Sequence, residues 1–417
     1  MAGERRRVFI TGLGVVTPIG IGVANLWHAV RQGCSAIRPL TRFDPTGYRS
    51  HLAAEVTGFD IADYLEGRQA RRLDRFSAFA VAASRLALLD AGIAVGAPCL
   101  QHAGTAVGSA LGGVAFAEEQ HRRFNQDGLR AVEPHLALTM FGGAGAANTA
   151  IALGMHGPTL GNANSCASGV VAIGEAYRLI QRGDVDLVLA GGAEAPLAPL
   201  TYGAFSLIHA MSARNGEPSV ACRPFDADRD GFVMAEGAAI VVLESLERVR
   251  ARGARAYLEI AGYALTNDAW HMAAPRPDGA DAARAMRLAI DDAGVPPSLI
   301  GYVNAHATGT EVGDRAEARA IRSALPESWQ RTPVSSTKPL HGHALGATGA
   351  IELVITAQAL QTGWLPPTRN LVQPDPECAL NHVPPGGATA TPEAAICNAF
   401  GFGGINACLV VRRPNRE

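Results

Sequence analysis

The sequence predicts an α/β protein made of two similar halves, and its composition and two internal repeats support that prediction. The 417 residues include 47 glycines and only 6% aromatic residues, which favours close backbone approach between packed layers over an aromatic-cored β-sandwich. Residues 85–93 (RLALLDAGI) resemble residues 287–295 (RLAIDDAGV), and residues 167–183 resemble residues 347–363. Similar Ala- and Leu-rich helices arise by chance, but two pairs in the same order predict a duplicated chain that divides near residue 255.

Each repeated segment has the apolar spacing of a helix and a glycine where that helix should end. Apolar runs elsewhere predict strands, and these runs are continuous, which is typical of strands covered on both faces. The sequence therefore predicts stacked sheets with helices between and outside them. An apolar strand is predicted after each member of the first repeated pair, within residues 102–113 and 300–310, and the other predicted strands comprise residues 8–14, 185–192, 238–244, 257–265, 394–400 and 407–411.

Charge and hydropathy exclude two classes of partner. Lys and Arg number 36 and Asp and Glu 38, so the net charge of −2 supplies no field that would hold a nucleic acid or an anionic membrane. No window approaches the length of about 18 apolar residues that a membrane span needs. We therefore expect neither nucleic acid nor membrane as a partner.

The N-terminus and the cysteines indicate the compartment. A basic start precedes an apolar stretch, but Gly12, Gly14 and Pro18 interrupt it, so we interpret the stretch as a buried strand and a loop rather than a signal peptide. The 7 cysteines form no C-x-x-C pair, which argues against a disulfide framework and a zinc cluster. Together these features predict a cytoplasmic protein.

Cys166 is the best candidate for a nucleophile. It lies in residues 164–169 (NSCASG), directly before a repeated helix. A thiol at a helix N-terminus meets the positive end of the helix dipole and free N–H groups, which lower its pKa and can bind a developing oxyanion. A cysteine taken alone is more often an inert core residue. The local pattern therefore favours catalysis for Cys166 and not for the other cysteines.

Five motifs, in order along the chain, resemble those of the β-ketoacyl-[acyl-carrier-protein] synthases of the type II class. They are residues 161–166 (GNANSC), 223–238 (RPFDADRDGFVMAEGA), 303–310 (VNAHATGT), 335–352 (SSTKPLHGHALGATGAIE) and 398–406 (NAFGFGGIN). The resemblance implies the thiolase fold, in which two βαβαβαββ halves form a five-layered αβαβα sandwich. We expect residues 1–255 to contain the nucleophile and residues 256–417 to contain the catalytic histidines and lysine.

The resemblance also implies an elongating synthase of the acyltransferase class, which performs a decarboxylative Claisen condensation. Cys166 would hold the acyl group, and a malonyl group would then lose CO₂. His306 and His343 would donate hydrogen bonds to the enolate oxygen, and Lys338 would support them electrostatically. Spacing alone would more often make such histidines structural. Both substrates would be carried on the phosphopantetheine of acyl carrier protein, so we expect no cofactor and no metal.

Further site residues follow from the resemblance alone. Glu352 matches a buried glutamate of the family, whose simplest role is to orient the lysine or an ordered water. The backbone N–H groups of Cys166 and Phe402 would form the oxyanion hole, and Phe402 would also gate the acyl pocket. Thr308 and Thr310 would bind the phosphopantetheine arm.

A wall for the acyl tunnel is also implied by the resemblance. Leu111 lies in residues 109–112, and Phe141 and Gly142 lie in residues 141–145, the two stretches that match this wall. Without the resemblance, the small residues of these stretches would be better explained by tight helix packing. We expect Leu111 and Phe141 to be the largest stops for the acyl chain.

Four residues depart from the family pattern. His341 stands in place of the usual Thr and Pro339 in place of Ser, while Gly309 replaces Ser and Ile405 replaces Thr. A third imidazole at position 341 could perturb the site. These departures favour polyketide or polyene synthesis over ordinary fatty acid elongation, but they do not decide which pathway the enzyme serves.

Other functions need residues that this chain lacks. A non-catalytic chain-length partner subunit usually has Gln at the position of Cys166. A coenzyme A-dependent thiolase would need a second catalytic cysteine, and an initiating synthase would have Asn at the position of His343. A cysteine peptidase would not explain Lys338. We expect a dimer, formed either by identical chains or with a homologous chain-length-factor subunit.

Overall fold

The computed structural model describes residues 5–414, and the elements named below lie within that range. The strands are β1 (Val8–Thr17), β2 (Gly20–Ile21), β3 (Arg38–Pro39), β4 (Leu52–Ala54), β5 (Gly104–Gly108), β6 (Thr159–Asn162), β7 (Leu187–Glu194), β8 (Met234–Ala235), β9 (Gly237–Ser245), β10 (Leu258–Asn267), β11 (Ile300–Asn304), β12 (Val334–Ser335), β13 (Trp364–Leu365), β14 (Ala388–Thr389), β15 (Ala394–Gly401) and β16 (Ile405–Arg412). The helices are α1 (Val23–Gln32), α2 (Gly67–Ala70), α3 (Arg75–Asp90), α4 (Val114–Asp127), α5 (Leu136–Thr139), α6 (Ala144–Leu153), α7 (Ser168–Arg182), α8 (Pro199–Leu207), α9 (Leu246–Arg252), α10 (Ala280–Ala293), α11 (Glu311–Ala324), α12 (Lys338–His341) and α13 (Thr348–Thr362).

The main strands form two groups with the same topology. The first group has the order β6-β5-β7-β9-β1, and the second has the order β12-β11-β15-β16-β10. If the five main strands of each half are numbered in chain order, their order in the sheet is third, second, fourth, fifth, first in both halves. In both groups the fifth strand pairs antiparallel with its two neighbours, and the remaining pairs are parallel. The groups meet where β1 pairs antiparallel with β10, at Val8 and Ile260.

A glycine bulge recurs at the same point of each half. The β1–β9 register shifts between Ile10 and Gly12, and the β10–β16 register shifts between Ile260 and Gly262. A Cβ on Gly12 would lie 2.3 Å from the carbonyl oxygen of Ala87, so only glycine lets α3 approach this closely. The matching Cβ on Gly262 would lie 2.1 Å from a carbonyl oxygen of α10. The duplication therefore extends to the packing of the first helix on the first strand.

The helices form three layers around the two groups of strands. One apolar core contains α7 and α13 together with strands of both groups, so these helices form the middle layer. A second core joins α3 and α6 to the first group, and a third joins α10 and α11 to the second group. Residues of α13 are buried on all sides, as expected for a helix between two sheets. The predicted five-layered αβαβα arrangement is confirmed.

The predicted elements agree with the structure to within a few residues. The second pair of repeats forms α7 and α13, which end at Gly183 and Gly363, both in the left-handed conformation. The first pair lies in α3 and α10, and α3 begins ten residues earlier than the repeat because its apolar spacing continues upstream, at Arg75. Within the described residues, no helix has both the length and the apolar character that crossing a membrane would require.

Candidate active site

Most of the predicted catalytic residues line one cavity of about 500 Å³. Cys166 enters it from the start of α7, in the first half of the chain. His306 follows β11, His343 precedes α13 and Phe402 follows β15, so the second half supplies these three residues. Residues 208–210 and 229–232 of the first half line the cavity as well. The site therefore forms only when the two halves pack together.

Cys166 is held by a strained turn. Ser165, the first residue of the turn that leads into α7, has a φ of 53°, which L-residues rarely adopt. The thiol is 8% exposed, and burial raises its pKa to about 11, although the Lys338 ammonium acts in the opposite direction. The expectation of a lowered thiol pKa was wrong, because burial outweighs the helix N-terminus. To act as the predicted nucleophile, such a neutral thiol would need a proton acceptor.

His343 lies in place to be that acceptor. Its Nε2 is 3.1 Å from Cys166 Sγ, and its Nδ1 is 3.0 Å from the Thr348 hydroxyl. The ring of His306 lies 5.5 Å from the ring of His343, centre to centre. Burial and the nearby Lys338 charge hold the pKa of both imidazoles well below the usual range. Both rings are therefore neutral and can act as hydrogen-bond donors or acceptors.

Lys338 lies behind the histidines and outside the cavity wall. It is fully buried, its Nζ lies 2.6 Å from Glu352 Oε1, and it also donates to the carbonyl of His306. Burial raises the pKa of Glu352 to about 7, and the lysine charge opposes that rise. The predicted contact between Lys338 and Glu352 is thus present in the structure, and the lysine ties Glu352 to the His306 backbone.

Lys338 is also the only lysine in the chain. The sequence contains 36 Lys and Arg residues, and all of the others are arginine. An ammonium on a flexible stem fits a fully enclosed space that a planar guanidinium with five donors would not. The composition therefore singles out Lys338 without any motif.

The two predicted phosphopantetheine threonines line the cavity side by side. Thr308 Oγ1 and Thr310 Oγ1 are 3.1 Å apart. Between them Gly309 has a φ of 83°, a left-handed conformation that suits glycine. The buried carboxylate of Asp314 accepts hydrogen bonds from the N–H groups of Thr308 and Gly309, which fixes this loop.

The loop after β15 forms the other side of the cavity. Phe402 stacks on Phe205 with ring centres 6.1 Å apart. A Cβ on Gly401 would lie 3.1 Å from Cys166 N, so glycine keeps the space beside that N–H open. The Gly403 N–H donates to the Met272 carbonyl at 2.7 Å, which anchors the loop to the segment at the cavity mouth.

The predicted tunnel residues do not line this cavity. Leu111 packs against the apolar cluster that contains Cys166, so it lies close to the nucleophile. Phe141 is 50% exposed, and Gly142 has open space beyond it, since an added Cβ would meet only Ala163 Cβ at 3.9 Å. Their role in limiting chain length stays a prediction.

Three buried carboxylates around the site were missed. Glu317 accepts the N–H groups of His306 and Ala307, and Asp314 holds the threonine loop as described. Glu194, at the end of β7, binds the loop after β5. Burial raises the pKa of Glu317 and Glu194 to about 7. An acidic residue inside an otherwise apolar strand was the available signal for Glu194.

One group of residues in the described range has the donor types of a metal site. Cys166, His306 and His343 each have one donor atom within 4.8 Å of the others. A closed structural zinc site needs a fourth ligand, and the adjacent Lys338 charge disfavours a cation. The expected absence of a metal stays a prediction.

Comparison with known families agrees with this geometry. The family model described as "Beta-ketoacyl synthase, N-terminal domain" matches residues 5–248, and the model described as "Beta-ketoacyl synthase, C-terminal domain" matches residues 257–372. The chain belongs to the β-ketoacyl synthase family. The predictions of a thiolase fold and of an elongating ketosynthase, a condensing enzyme of the acyltransferase class, are confirmed with it. The division of this ketosynthase at residue 255 stays a prediction.

Relatives cover the whole ketosynthase. The 3-oxoacyl-[acyl-carrier-protein] synthase 2 of Synechocystis sp. is 42% identical over 98% of this chain and 99% of its own length. The protein of the same name from Staphylococcus aureus is 41% identical over the same shares.

Solved structures are similar as well. The ishigamide ketosynthase/chain length factor has a TM-score of 0.92 at 34% identity, covering 99% of this chain and 100% of its own. A type II polyketide ketosynthase, in complex with its acyl-carrier protein and bound to the hexaketide, has a TM-score of 0.91 at 33% identity with the same coverage. A β-ketoacyl synthase from Burkholderia phymatum has a TM-score of 0.92 at 38% identity, covering 98% and 100%.

Proposed function

We propose that Cys166, His306, His343 and Lys338 condense an acyl thioester with a malonyl thioester, both delivered by acyl carrier protein. The observation that carries the proposal is the 3.1 Å contact between Cys166 Sγ and His343 Nε2, at a helix start that opens into the cavity. A neutral thiol and a neutral imidazole at this distance form a nucleophile with its base.

In the first step, Cys166 Sγ attacks the carbonyl of the acyl thioester. A new Sγ–C bond forms, the bond to the phosphopantetheine sulfur breaks, and the thiol proton passes through His343 Nε2 to the leaving thiolate. The N–H groups of Cys166 and Phe402 donate hydrogen bonds to the carbonyl oxygen and stabilise the negative charge that develops on it. Thr348 can donate to or accept from His343 Nδ1, so it supports the tautomer that this step needs.

In the second step, the malonyl group loses CO₂ and its thioester oxygen becomes an enolate. His306 and His343 donate to this oxygen from their cavity-facing nitrogens, with His343 now in its other tautomer. The enolate carbon then attacks the acyl carbonyl on Cys166. A carbon–carbon bond forms, the Sγ–C bond breaks, and the released thiolate takes up one proton from solvent.

The partner proposals rest on the site and on the surface. Thr308 and Thr310 are placed to bind phosphopantetheine, and a similar ketosynthase has been solved in complex with its acyl-carrier protein. For the dimer, β6 is the edge strand of its sheet, Leu160 on it is 38% exposed, and Ile151 on α6, which packs on β6, is 68% exposed. An uncovered apolar edge favours pairing with a second chain. That chain is either identical or a homologous chain-length factor, which native mass spectrometry would distinguish.

The remaining proposals concern cofactors and location. Condensation as written needs no group besides the phosphopantetheine of the carrier protein, so we propose that this ketosynthase uses no cofactor of its own. All its cysteines are free, which fits a reducing compartment such as the cytoplasm.

Mass spectrometry of the enzyme and its products tests the proposal. Acyl carrier proteins loaded with primers of graded length should acylate Cys166, and malonyl carrier protein should then yield a product two carbons longer than each primer. The preferred primers would distinguish fatty acid from polyketide synthesis. Cys166→Ala should abolish both the acyl adduct and the product, and an adduct recovered on another cysteine would refute the assignment.

A further inference from the structure

Glu194 is a buried carboxylate that the steps above do not use. It ends β7 and accepts four hydrogen bonds, from Ser109 Oγ at 2.9 Å and from the N–H groups of Ala110, Leu111 and Gly346 at 2.6, 3.2 and 3.0 Å. Burial raises the pKa of Glu194, and the four hydrogen bonds oppose that rise. Because all four partners donate to the carboxylate oxygens, the charged form is the one that this arrangement fits. Burying a carboxylate in this way has a large desolvation cost, so we infer that Glu194 has a specific role.

The duplicated fold shows which residue corresponds to Glu194 in the catalytic half. Strands β7 and β15 contain eight residues each and pair antiparallel with β9 and β16. At the ends of these pairings, Glu194 lies opposite Gly237 and Gly401 lies opposite Ile405. Glu194 and Gly401 therefore hold equivalent positions.

Helices α7 and α13 begin in equivalent ways. Each follows a short 3₁₀ turn whose first residue has a positive φ, 53° at Ser165 and 38° at Leu345. The next residue is Cys166 in the first turn and Gly346 in the second. Gly346 is therefore the counterpart of the nucleophile, and its N–H is the counterpart of the N–H assigned to the oxyanion hole.

The two equivalent N–H groups have different neighbours. Beside Cys166, Gly401 leaves room for a substrate oxygen, because a Cβ there would lie 3.1 Å from Cys166 N. Beside Gly346, the Glu194 side chain fills the corresponding place and its Oε2 accepts the N–H. We propose that Glu194 is an internal anion that occupies the counterpart of the oxyanion hole, and that it thereby positions residues 109–111 and 345–347 around Cys166.

These two segments both approach the nucleophile. Leu345 belongs to the apolar cluster of Cys166, lines the cavity and lies two residues after His343. Leu111 packs on the same cluster. Glu194 thus joins one segment of each half across the site, and it acts as a positioning residue rather than a catalytic one. The proposal rests on the ketosynthase function proposed above.

Chemical rescue tests whether an anion is what the site requires. Glu194→Ala removes the equivalent of one acetate molecule and leaves the four donors in place. We expect its rate of Cys166 acylation to fall by up to about 10²-fold, the usual result of displacing catalytic groups by about 1 Å. The loss should be greater for long acyl primers than for short ones, because Leu111 moves. Added acetate should restore the rate, whereas chloride at the same ionic strength should not.

Leu189→Ala is the matched control, since Leu189 is fully buried in the same strand and its truncation leaves an apolar space. Acetate should not change the acylation rate of this variant. Equal rescue of both variants, or rescue of Glu194→Ala by chloride, would overturn the proposal. So would a Glu194→Ala enzyme with the wild-type rate and primer preference.

A milder variant keeps the test decisive if Glu194→Ala does not fold. Ser109→Ala removes one of the four donors and leaves the carboxylate in place, and it should shift primer preference in the same direction by a smaller factor. Wild-type primer preference in folded Ser109→Ala would then refute the proposal. The wild-type enzyme assayed in parallel separates the two hypotheses, because a wild type without acylation would refute the proposed function instead.

Discussion

At the start of α7 the Cys166 N–H faces an open cavity, whereas at the start of α13 the equivalent Gly346 N–H faces the carboxylate of Glu194. The strained turns, the helix lengths and the adjoining strands are the same in both places. Two residues make the difference, a cysteine against a glycine in the turn and a glycine against a glutamate at the strand end. The N-terminus of a helix can therefore bind a ligand oxygen only where the neighbouring strand leaves its donors free.

A side chain at Gly401 would remove this difference from the catalytic half. Gly401→Ala places a methyl group 3.1 Å from Cys166 N, which excludes a substrate oxygen from that donor. We expect acylation and condensation each to fall by about 10²- to 10³-fold, the usual loss for one oxyanion donor. Single-turnover mass spectrometry would measure both steps. Gly216→Ala is the control, since no atom lies within 4 Å of its added Cβ, and near-wild-type rates in Gly401→Ala would refute the placement of the oxyanion hole.

Lys338 has no counterpart elsewhere in the chain, and its removal should separate the two chemical steps. Lys338→Ala withdraws a positive charge that, together with burial, lowers the pKa of the imidazoles, and it frees the His306 carbonyl. We expect malonyl decarboxylation to fall by roughly 10²-fold while acylation of Cys166 stays measurable. His306→Ala should give the same pattern. Normal decarboxylation in both variants would contradict the assignment.

The single lysine also provides a direct measurement. Protein labelled with ¹⁵N-lysine should show one side-chain signal by NMR, at the position of a charged ammonium paired with Glu352. That signal should disappear in Lys338→Ala. A signal typical of a neutral amine at pH 7 would show that the histidines are not exposed to a lysine charge.

The sequence was sufficient for the main helices and strands and for placing Cys166 at the start of a helix, because these features depend on local patterns. Helices α7 and α13 could be located by their apolar spacing and terminal glycines, and Cys166 by its place before a helix. Two-residue strands such as Gly20–Ile21 could not, because they are too short to have a periodicity.

The raised thiol pKa and the role of Glu194 depend on packing between distant segments. The donors to Glu194 come from residues about 85 positions earlier and 152 positions later in the chain. Burial of Cys166 likewise requires Leu345, which belongs to the other half. No local pattern contains such information, although the duplication itself would have allowed Gly346 to be aligned with Cys166.

The loop that Glu194 holds should limit acyl length. Leu111→Phe adds volume beside the Cys166 cluster. Each methylene of the acyl chain that can no longer be buried there loses about 0.8 kcal/mol of favourable binding free energy. We therefore expect products to shift toward shorter chains while condensation of short primers continues. Gly142→Phe should act alike if residues 141–145 form the opposite wall. Leu89→Phe, at a residue 77% exposed, is the control, and an unchanged product distribution in both wall variants would place the length limit elsewhere.

His341, which replaces the usual Thr of the family in the second half, should make stability depend on pH. It is fully buried with Nε2 3.0 Å from Thr337 Oγ1, and burial and the Lys338 charge lower its pKa to about 3. The unfolded chain binds a proton there below about pH 6.5 while the folded chain does not, so stability falls as pH drops from 6.5 toward 3. Between pH 8 and pH 5 this group alone should cost about 2 kcal/mol of unfolding free energy. Because the buried His306 and His343 contribute a similar loss in both proteins, urea denaturation at the two pH values should show a loss about 2 kcal/mol smaller in His341→Gln than in the wild type. Equal losses in the two proteins would mean that the His341 imidazole is protonated in the folded state.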